Sequence, residues 1–414
     1  MASTSQERRS LEGVRVADRE QFADGPPHEL FKEMRGRCPV HWTDGISEFP
    51  DEEGFWSVTT ADDVHEVSRD WQTFSSEVGG FTAIKNGILP LELQQAMFIG
   101  MDPPKHDRLK ALFQRGFTPK RTAEHEPAIR QIATEVLDGL DGREHCDLVT
   151  DVAQPFVARV IGSFMGVPPE DDAIWATIMN NTLGAGDPDR TPEGAQTVME
   201  NEVPLAFERC AKLIAERRES PTDDLTSVLV HADVDGEKLE DHEIVMGFFL
   251  LMAAGNDSTK ATYCSGMRAL MENPDQREKV LADPSLVPAV VEESLRMFPA
   301  FAHFARTATE DTELHGQRIR KGEKVVMWYP SSNRDESRYE DPDRFEVGRE
   351  TEHQAFGAGG RHFCLGTALA RLELRVLIEE TLNRYPRMEL AGEPKFVESP
   401  FANQLKTLPV KLSA

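Results

Sequence analysis

Phe356-Gly357-Ala358-Gly359-Gly360-Arg361-His362-Phe363-Cys364-Leu365-Gly366 puts one cysteine at the end of a glycine-rich loop, directly before a helical pattern. Leu365, Leu369, Leu372, Val376, Leu377 and Leu382 recur near helical period, which predicts Cys364 at or just before a helix N-terminus. The free N–H groups and the dipole at that end favour a negative sulfur and lower the thiol pKa. The glycines permit tight turns and a close approach of backbone to a flat ligand.

Other readings of the loop fail on its residues. His362 stands where a dinucleotide fingerprint needs its third glycine, and no Lys-Ser/Thr follows for a phosphate loop. Cys38, Cys146, Cys210, Cys264 and Cys364 are scattered with no C-x-x-C pair, so neither a zinc site nor a disulfide framework is indicated. A lone axial thiolate suits haem iron, where one protein ligand is enough.

Four further motifs accompany the loop. Glu293 and Arg296 in V-E-E-S-L-R are helix neighbours at i and i+3 and can pair. Pro342, Phe345 and Arg349 form P-x-x-F-x-x-x-R between that helix and the cysteine loop. Ala254-Gly255-Asn256-Asp257-Ser258-Thr259 lies in a helical pattern running from near Asp241 past Met267. A glycine inside a helix costs about 1 kcal/mol against alanine, which here suggests a functional groove. Met101-Asp102-Pro103-Pro104-Lys105-His106 opens a helix carrying Arg108 and Lys110, and Arg306 lies in A-R-T-A-T-E-D-T-E-L.

With these motifs in this order, the chain resembles the cytochrome P-450 family over nearly its whole length. The resemblance implies a mainly α fold with small β-sheets, a single triangular haem-thiolate domain over residues 28–414 after a polar segment at 1–27. It implies haem b (iron protoporphyrin IX), with Cys364 as the metal ligand and Phe356 and Gly366 in the loop around it. His106, Lys110, Arg306 and His362 match propionate partners, with Lys110 where arginine is common. A lysine keeps the charge but loses the planar fork. Asp257 and Ser258 match an acid and a hydroxyl that relay protons, with serine where threonine is usual. Serine lacks the methyl that fixes its rotamer, so a looser relay is expected. Thr259 is the alternative hydroxyl, though one helical step turns it about 100° away. Glu293, Arg296 and Arg349 are implied to form a buried structural cluster.

By the same resemblance the substrate pocket draws on Phe81, Ile88, Leu89, Leu183, Phe248, Leu251, Ala254, Ala300, Phe304 and Phe401, with few charges. That set implies an apolar pocket. The loop is one residue longer than the family's commoner form, and with the G-N-D sequence it is similar to bacterial members that hydroxylate steroids, branched lipids and terpenoids. The expected reaction is insertion of one oxygen atom of dioxygen into an unactivated C–H bond of such a molecule, with electrons from a ferredoxin and its NAD(P)H-dependent ferredoxin reductase. A peroxide-driven peroxygenase and a non-catalytic haem-binding sensor are the alternatives.

Bulk properties agree. Forty-six basic against 72 acidic residues give a net charge of −26, which argues against nucleic acid or an anionic membrane as partner. The N-terminal stretch lacks the apolar core of a signal peptide or anchor, and Ile244–Ala254, the longest apolar run, is too short to span a bilayer. A cytoplasmic protein is expected. One region reverses the charge: Lys105, Arg108, Lys110, Arg115, Lys120 and Arg121 stand against the single acid Asp107 between Pro103 and Arg121. A basic island on an acidic body steers an acidic ferredoxin. Strands are expected at Phe55–Thr59, Glu313–Ile319 and Lys324–Trp328, and helices over most of Glu126–Met297.

Overall fold

A computed structural model describes residue 11 and residues 13–49, 52–85, 89–234 and 237–413. Its longest helix, Asp241–Glu272, starts at a capping box in which Glu240 and Glu243 exchange side-chain and backbone bonds, one of them 2.9 Å long. Two orphan N–H groups are thereby satisfied. The helix then runs without interruption through the molecule. Apolar residues on most of its faces suit it to a buried position, and helices Gln154–Met165, Asp172–Leu183, Val203–Glu219, Val287–Met297 and Thr367–Arg384 pack round it.

Gly255 lies within that helix for a packing reason. A Cβ there would sit 2.8 Å from Ile161 of helix Gln154–Met165, so the glycine lets the two helices approach closely. Gly255 also lines the central cavity, so the groove that the sequence suggests lies where the helix meets both the cavity and Ile161.

The main sheet orders its strands Val40–Thr43, Phe55–Val58, Lys324–Trp328, His303–Ala308 and Phe74–Ser75. The expected strands at Phe55 and Lys324 are present, and the expected strand segment Glu313–Ile319 is a hairpin, Thr312–Leu314 paired with Gln317–Ile319. Side chains alternate across a strand. Phe304 and Arg306 therefore share the face of His303–Ala308 that turns to the central cavity. At the N-terminal side, Val16, Ala17 and Phe22 are buried, and Phe22 and Phe31 both stack near Trp328, at 6.0 and 5.4 Å between ring centroids. The packed region thus takes in part of the stretch that reads as a polar segment. Among the described residues, no helix is long and apolar enough to cross a membrane.

Helix Val287–Met297 carries the buried ionic cluster. The Arg296 guanidinium donates to both carboxylate oxygens of Glu293 at 2.8 Å and to the carbonyls of Asn333 and Pro342 at 3.0 and 2.8 Å. Arg349 Nε lies 3.4 Å from Glu293, and the Glu346 N–H donates to the same carboxylate at 3.0 Å. Helix Val287–Met297 and the 346–349 loop are tied at one carboxylate. Removing one member of a buried pair leaves the other charge uncompensated, at a cost of about 3–5 kcal/mol. Glu293→Ala is therefore expected to lower the thermal unfolding midpoint sharply, whereas an exposed change such as Glu66→Ala, read in the same assay, leaves it near wild type.

Candidate functional site

The cysteine loop is shaped by backbone constraints. Gly360 has φ +82°, and a Cβ there would meet the Ser68 carbonyl oxygen at 2.6 Å, so a side chain fits neither the conformation nor the space. The Cys364 N–H donates to the Phe356 carbonyl at 2.9 Å, which closes the loop just before helix Thr367–Arg384. Cys364 is accessible from the central cavity that it lines, yet protein surrounds it. Burial raises its thiol pKa; the Gly366 N–H and the nearby Lys110 and Arg371 charges oppose that rise by favouring the anion.

Arg371 has a second task that the sequence does not announce. Its guanidinium makes a two-pronged bond to Glu292 at 2.6 and 2.9 Å and lies 4.8 Å from the centre of the Phe356 ring. His353 joins the same carboxylate at 3.2 Å, and although burial raises the Glu292 pKa, these partners hold it at about 2. Glu292 thus braces the loop from the helix that carries Glu293. Its neighbour in V-E-E-S-L-R was the only available signal.

The central cavity separates Cys364 from the helix Asp241–Glu272. All four basic residues singled out from the sequence reach it. The His106 and His362 rings lie 4.2 Å apart. His362 bonds Ser76 Oγ at 3.2 Å through Nε2, while its buried Nδ1 has no partner. Arg306 is buried and donates to the Ala305 carbonyl at 2.7 Å. Burial lowers the pKa of His106, His362, Lys110 and Arg306, and for both histidines the neighbouring cations Lys110 and Arg306 lower it further. Such a set of bases is suited to carboxylates placed among them. Lys110 differs from expectation: its Nζ donates to the carbonyls of Arg361 and Phe363, the latter at 2.7 Å, so it also ties the cysteine loop. One cavity-facing thiol and this basic rim fit a haem with its two propionates.

On the far wall Asp257, Ser258 and Thr259 diverge. Ser258 lines the cavity and its hydroxyl donates to the Ala254 carbonyl, one turn back, at 2.7 Å. Asp257 is fully buried and does not line the cavity; one oxygen pairs with Lys260 and accepts from Asn256 at 3.2 Å, and the other is unpartnered. Lys260 also bonds Gln154 at 3.0 Å and Asn180, so the acid belongs to a network joining three helices. Thr259, expected to turn away, reaches the cavity further round and hydrogen-bonds Glu373. Burial raises the Glu373 carboxyl to about 8 against that bond. Sequence reasoning missed Glu373, because a glutamate in an otherwise amphipathic helix reads as solvated.

Leu251, Ala254, Ala300 and Phe304 line the cavity, and Phe81, Leu89, Leu183 and Phe401 line an adjoining chamber. Phe248 is a correction: it lines neither and packs on Trp175 at 5.3 Å, because its position on the helix points into the core. Ile88 lies outside the described residues. The basic island is also thinner than its sequence: Lys105, Arg108 and Arg121 pair with Glu77, Glu243 and Asp223 at 3.2, 2.7 and 3.4 Å.

Comparison with known proteins bears on this arrangement directly. Residues 194–412 match the family model Cytochrome P450. The chain is 36% identical over 390 residues to the methyl-branched lipid omega-hydroxylase of Mycobacterium bovis, covering 92% of this chain and 90% of that protein. It is 35% identical over 376 residues to the steroid C26-monooxygenase of Mycolicibacterium smegmatis, covering 90% and 88%. A Mycobacterium marinum cytochrome P450 solved in complex with pseudoionone superposes with a TM-score of 0.92 at 33% identity, covering 99% of this chain and all of that one. These likenesses define a haem-dependent monooxygenase. The chain belongs to the cytochrome P450 family, whose cofactor is haem.

Glu373 makes the site pH-sensitive in a stated direction. Its folded pKa of about 8 exceeds the ordinary value, so the folded state holds the proton and loses relative stability as pH rises from about 4.5 to about 8. Glu373→Gln, which keeps the shape without the charge, is expected to gain stability over wild type as pH rises through that window. Thermal unfolding of both holoproteins at pH 5 and 8.5 reads the difference.

Proposed function

We propose that this P450 hydroxylates an apolar steroid, terpenoid or branched lipid in the cytoplasm, with electrons from a ferredoxin and its NAD(P)H-dependent reductase. The observation that carries the reading is that Cys364 and Ser258 line one cavity whose rim holds His106, Lys110, Arg306 and His362 and whose remaining wall, Thr259, Thr262, Tyr329 and Glu373 among its few polar members, is mostly apolar. The names of the two relatives and of the pseudoionone complex support the substrate classes. In this reading Cys364 binds the iron as thiolate, and the basic residues hold the propionates. Haem so ligated supplies oxygen activation, the thiolate donating electron density that favours O–O cleavage.

The chain's own part is proton handling and exclusion of water. Ser258 passes a proton by releasing its own from Oγ while accepting another at the same atom; its bond to Ala254 holds the oxygen at the cavity wall. Asp257 supplies protons only when its carboxyl leaves Lys260 and turns toward Ser258, so Lys260 sets its resting position. Leu250, Leu251, Phe301 and Phe304 keep the substrate end dry. On the outer face, exposed Arg115 and Lys120 carry the attraction for an acidic donor.

Three measurements test the assignments. The reduced protein with carbon monoxide is expected to show the red-shifted Soret band of a thiolate-ligated haem, and Cys364→Ser to lose it; a variant that keeps the band overturns the ligand. Ser258→Ala is expected to raise peroxide release per NAD(P)H while the substrate-induced spin shift persists, and unchanged coupling removes Ser258 from the relay. Arg115→Glu with Lys120→Glu is expected to slow reduction by a ferredoxin, more at low salt than at high. Product formed with peroxide alone as fast as with the ferredoxin system would favour a peroxygenase instead.

A further inference from the structure

Two cations favour a negative sulfur at Cys364, and they are held in different ways. Lys110 is bonded to the carbonyls of Arg361 and Phe363. Arg371, in the second turn of helix Thr367–Arg384, is bonded through both prongs to a full opposite charge, the Glu292 carboxylate, at 2.6 and 2.9 Å. The influence between Arg371 and the sulfur is mutual: the bond to Glu292 first, and then the charge on Cys364, raise the Arg371 pKa. Its guanidinium lies 4.8 Å from the centre of the Phe356 ring, and the Phe356 carbonyl accepts the Cys364 N–H at 2.9 Å.

Glu292 is held ionised from a second side. His353, its side chain 3% exposed, reaches the carboxylate with Nε2 at 3.2 Å, and its Nδ1 accepts from the Ala355 N–H at 3.3 Å, which fixes Nε2 as the donor. Burial raises the carboxyl, yet these bonds keep it at about 2, so the pair presents one full negative and one full positive charge at neutral pH. Its outer side meets water: the side chains of Glu292 and Arg371 are 31% and 41% exposed and line a surface groove with Pro288, Leu372 and Arg375. Water screens that side. The sulfur lies on the inner side, surrounded by protein, where screening is weaker. Arg371 is the member of the pair that acts on the thiol, and Glu292 offsets part of its charge. An added electron makes iron and thiolate together more negative, so positive potential at the sulfur favours reduction.

We propose that Glu292 is a positioning residue for the electronics of Cys364: acting through Arg371, it sets how much positive potential reaches the sulfur and thereby the reduction potential of the haem, a task separate from bracing the loop. The proposal rests on the reading of Cys364 as the thiolate ligand of the iron. Without the Glu292 charge, Arg371 is uncompensated and one-electron reduction becomes easier. Without the Arg371 charge, Glu292 is uncompensated and reduction becomes harder. A brace alone predicts otherwise, because it is broken equally from either side.

The test is the ferric–ferrous potential of substrate-free holoenzyme, read by spectroelectrochemical titration, with the carbon monoxide band of each variant as the check on the ligand. Glu292→Gln is expected to raise the reduction equilibrium constant about threefold or more, and Arg371→Gln to lower it about threefold or more, each about 28 mV at about 59 mV for a tenfold change. The double variant is expected to fall between the two. Arg371→Lys keeps the charge without the fork and is expected to stay within about twofold of wild type. Single variants that shift the potential in the same direction, or leave it unmoved, overturn the tuning role and leave a brace. Arg371→Lys moving the potential as far as Arg371→Gln overturns it too, since geometry and not charge would then be acting. Where Arg371→Gln yields no holoenzyme, Glu292→Gln and Arg371→Lys decide between the same outcomes. Absence of the thiolate-type band in wild type overturns the ligand reading and this proposal with it.

Discussion

A thiol enclosed by protein resists ionisation, and the structure around Cys364 is arranged against that resistance. Burial alone would hold the proton on sulfur; the Gly366 N–H, Lys110 and Arg371 supply positive potential at short range. Each of those groups is itself anchored. Lys110 is tied to the loop carbonyls, and Arg371 is locked by Glu292. The two adjacent glutamates of helix Val287–Met297 divide the labour, Glu292 bracing the loop and Glu293 gathering Arg296 and Arg349 beneath it. The position of one sulfur thus depends on charge pairs spread over several segments of chain.

Across the cavity, the long helix solves a different problem. It carries a hydroxyl and an acid at successive positions, and 100° per residue prevents both from facing the same way. The structure accepts the divergence: Ser258 faces in, and Asp257 is stored against Lys260 in a buried polar network. A buried pair of this kind contributes little to stability, and its attested use is in specifying a position or a switch. Glu373, whose carboxyl pKa burial raises and which touches Thr259, puts a carboxyl on the cavity wall itself.

Much of this was legible in the sequence because the relevant signals are local. A cysteine behind a glycine loop, an i,i+3 pair, an apolar strand run at Lys324–Trp328 and a helical pattern from Asp241 all depend on near neighbours, and the structure places each where its pattern predicts. The errors share a cause. Phe248 reads as a pocket residue because it is apolar and near Ala254, but only the helix's rotation against its neighbours decides that it meets Trp175. Lys105, Arg108 and Arg121 read as a free basic island because their acidic partners lie far along the chain.

By itself, then, the sequence determined the cysteine loop, the long helix from Asp241, the strands at Phe55 and Lys324, and most of the polar groups that converge on the cavity, since these follow from periodicity and from residue types at short spacing. Only the tertiary structure decided which of them face the cavity, which charges are already paired, and that a smaller apolar cavity adjoins the main one. Those are properties of how distant segments meet: Gln94, His303 and Lys260 look like ordinary polar residues until folding supplies the partners that use up their hydrogen bonds. Spacing along the chain carries no record of such encounters, because they are set by packing between elements that are remote in sequence.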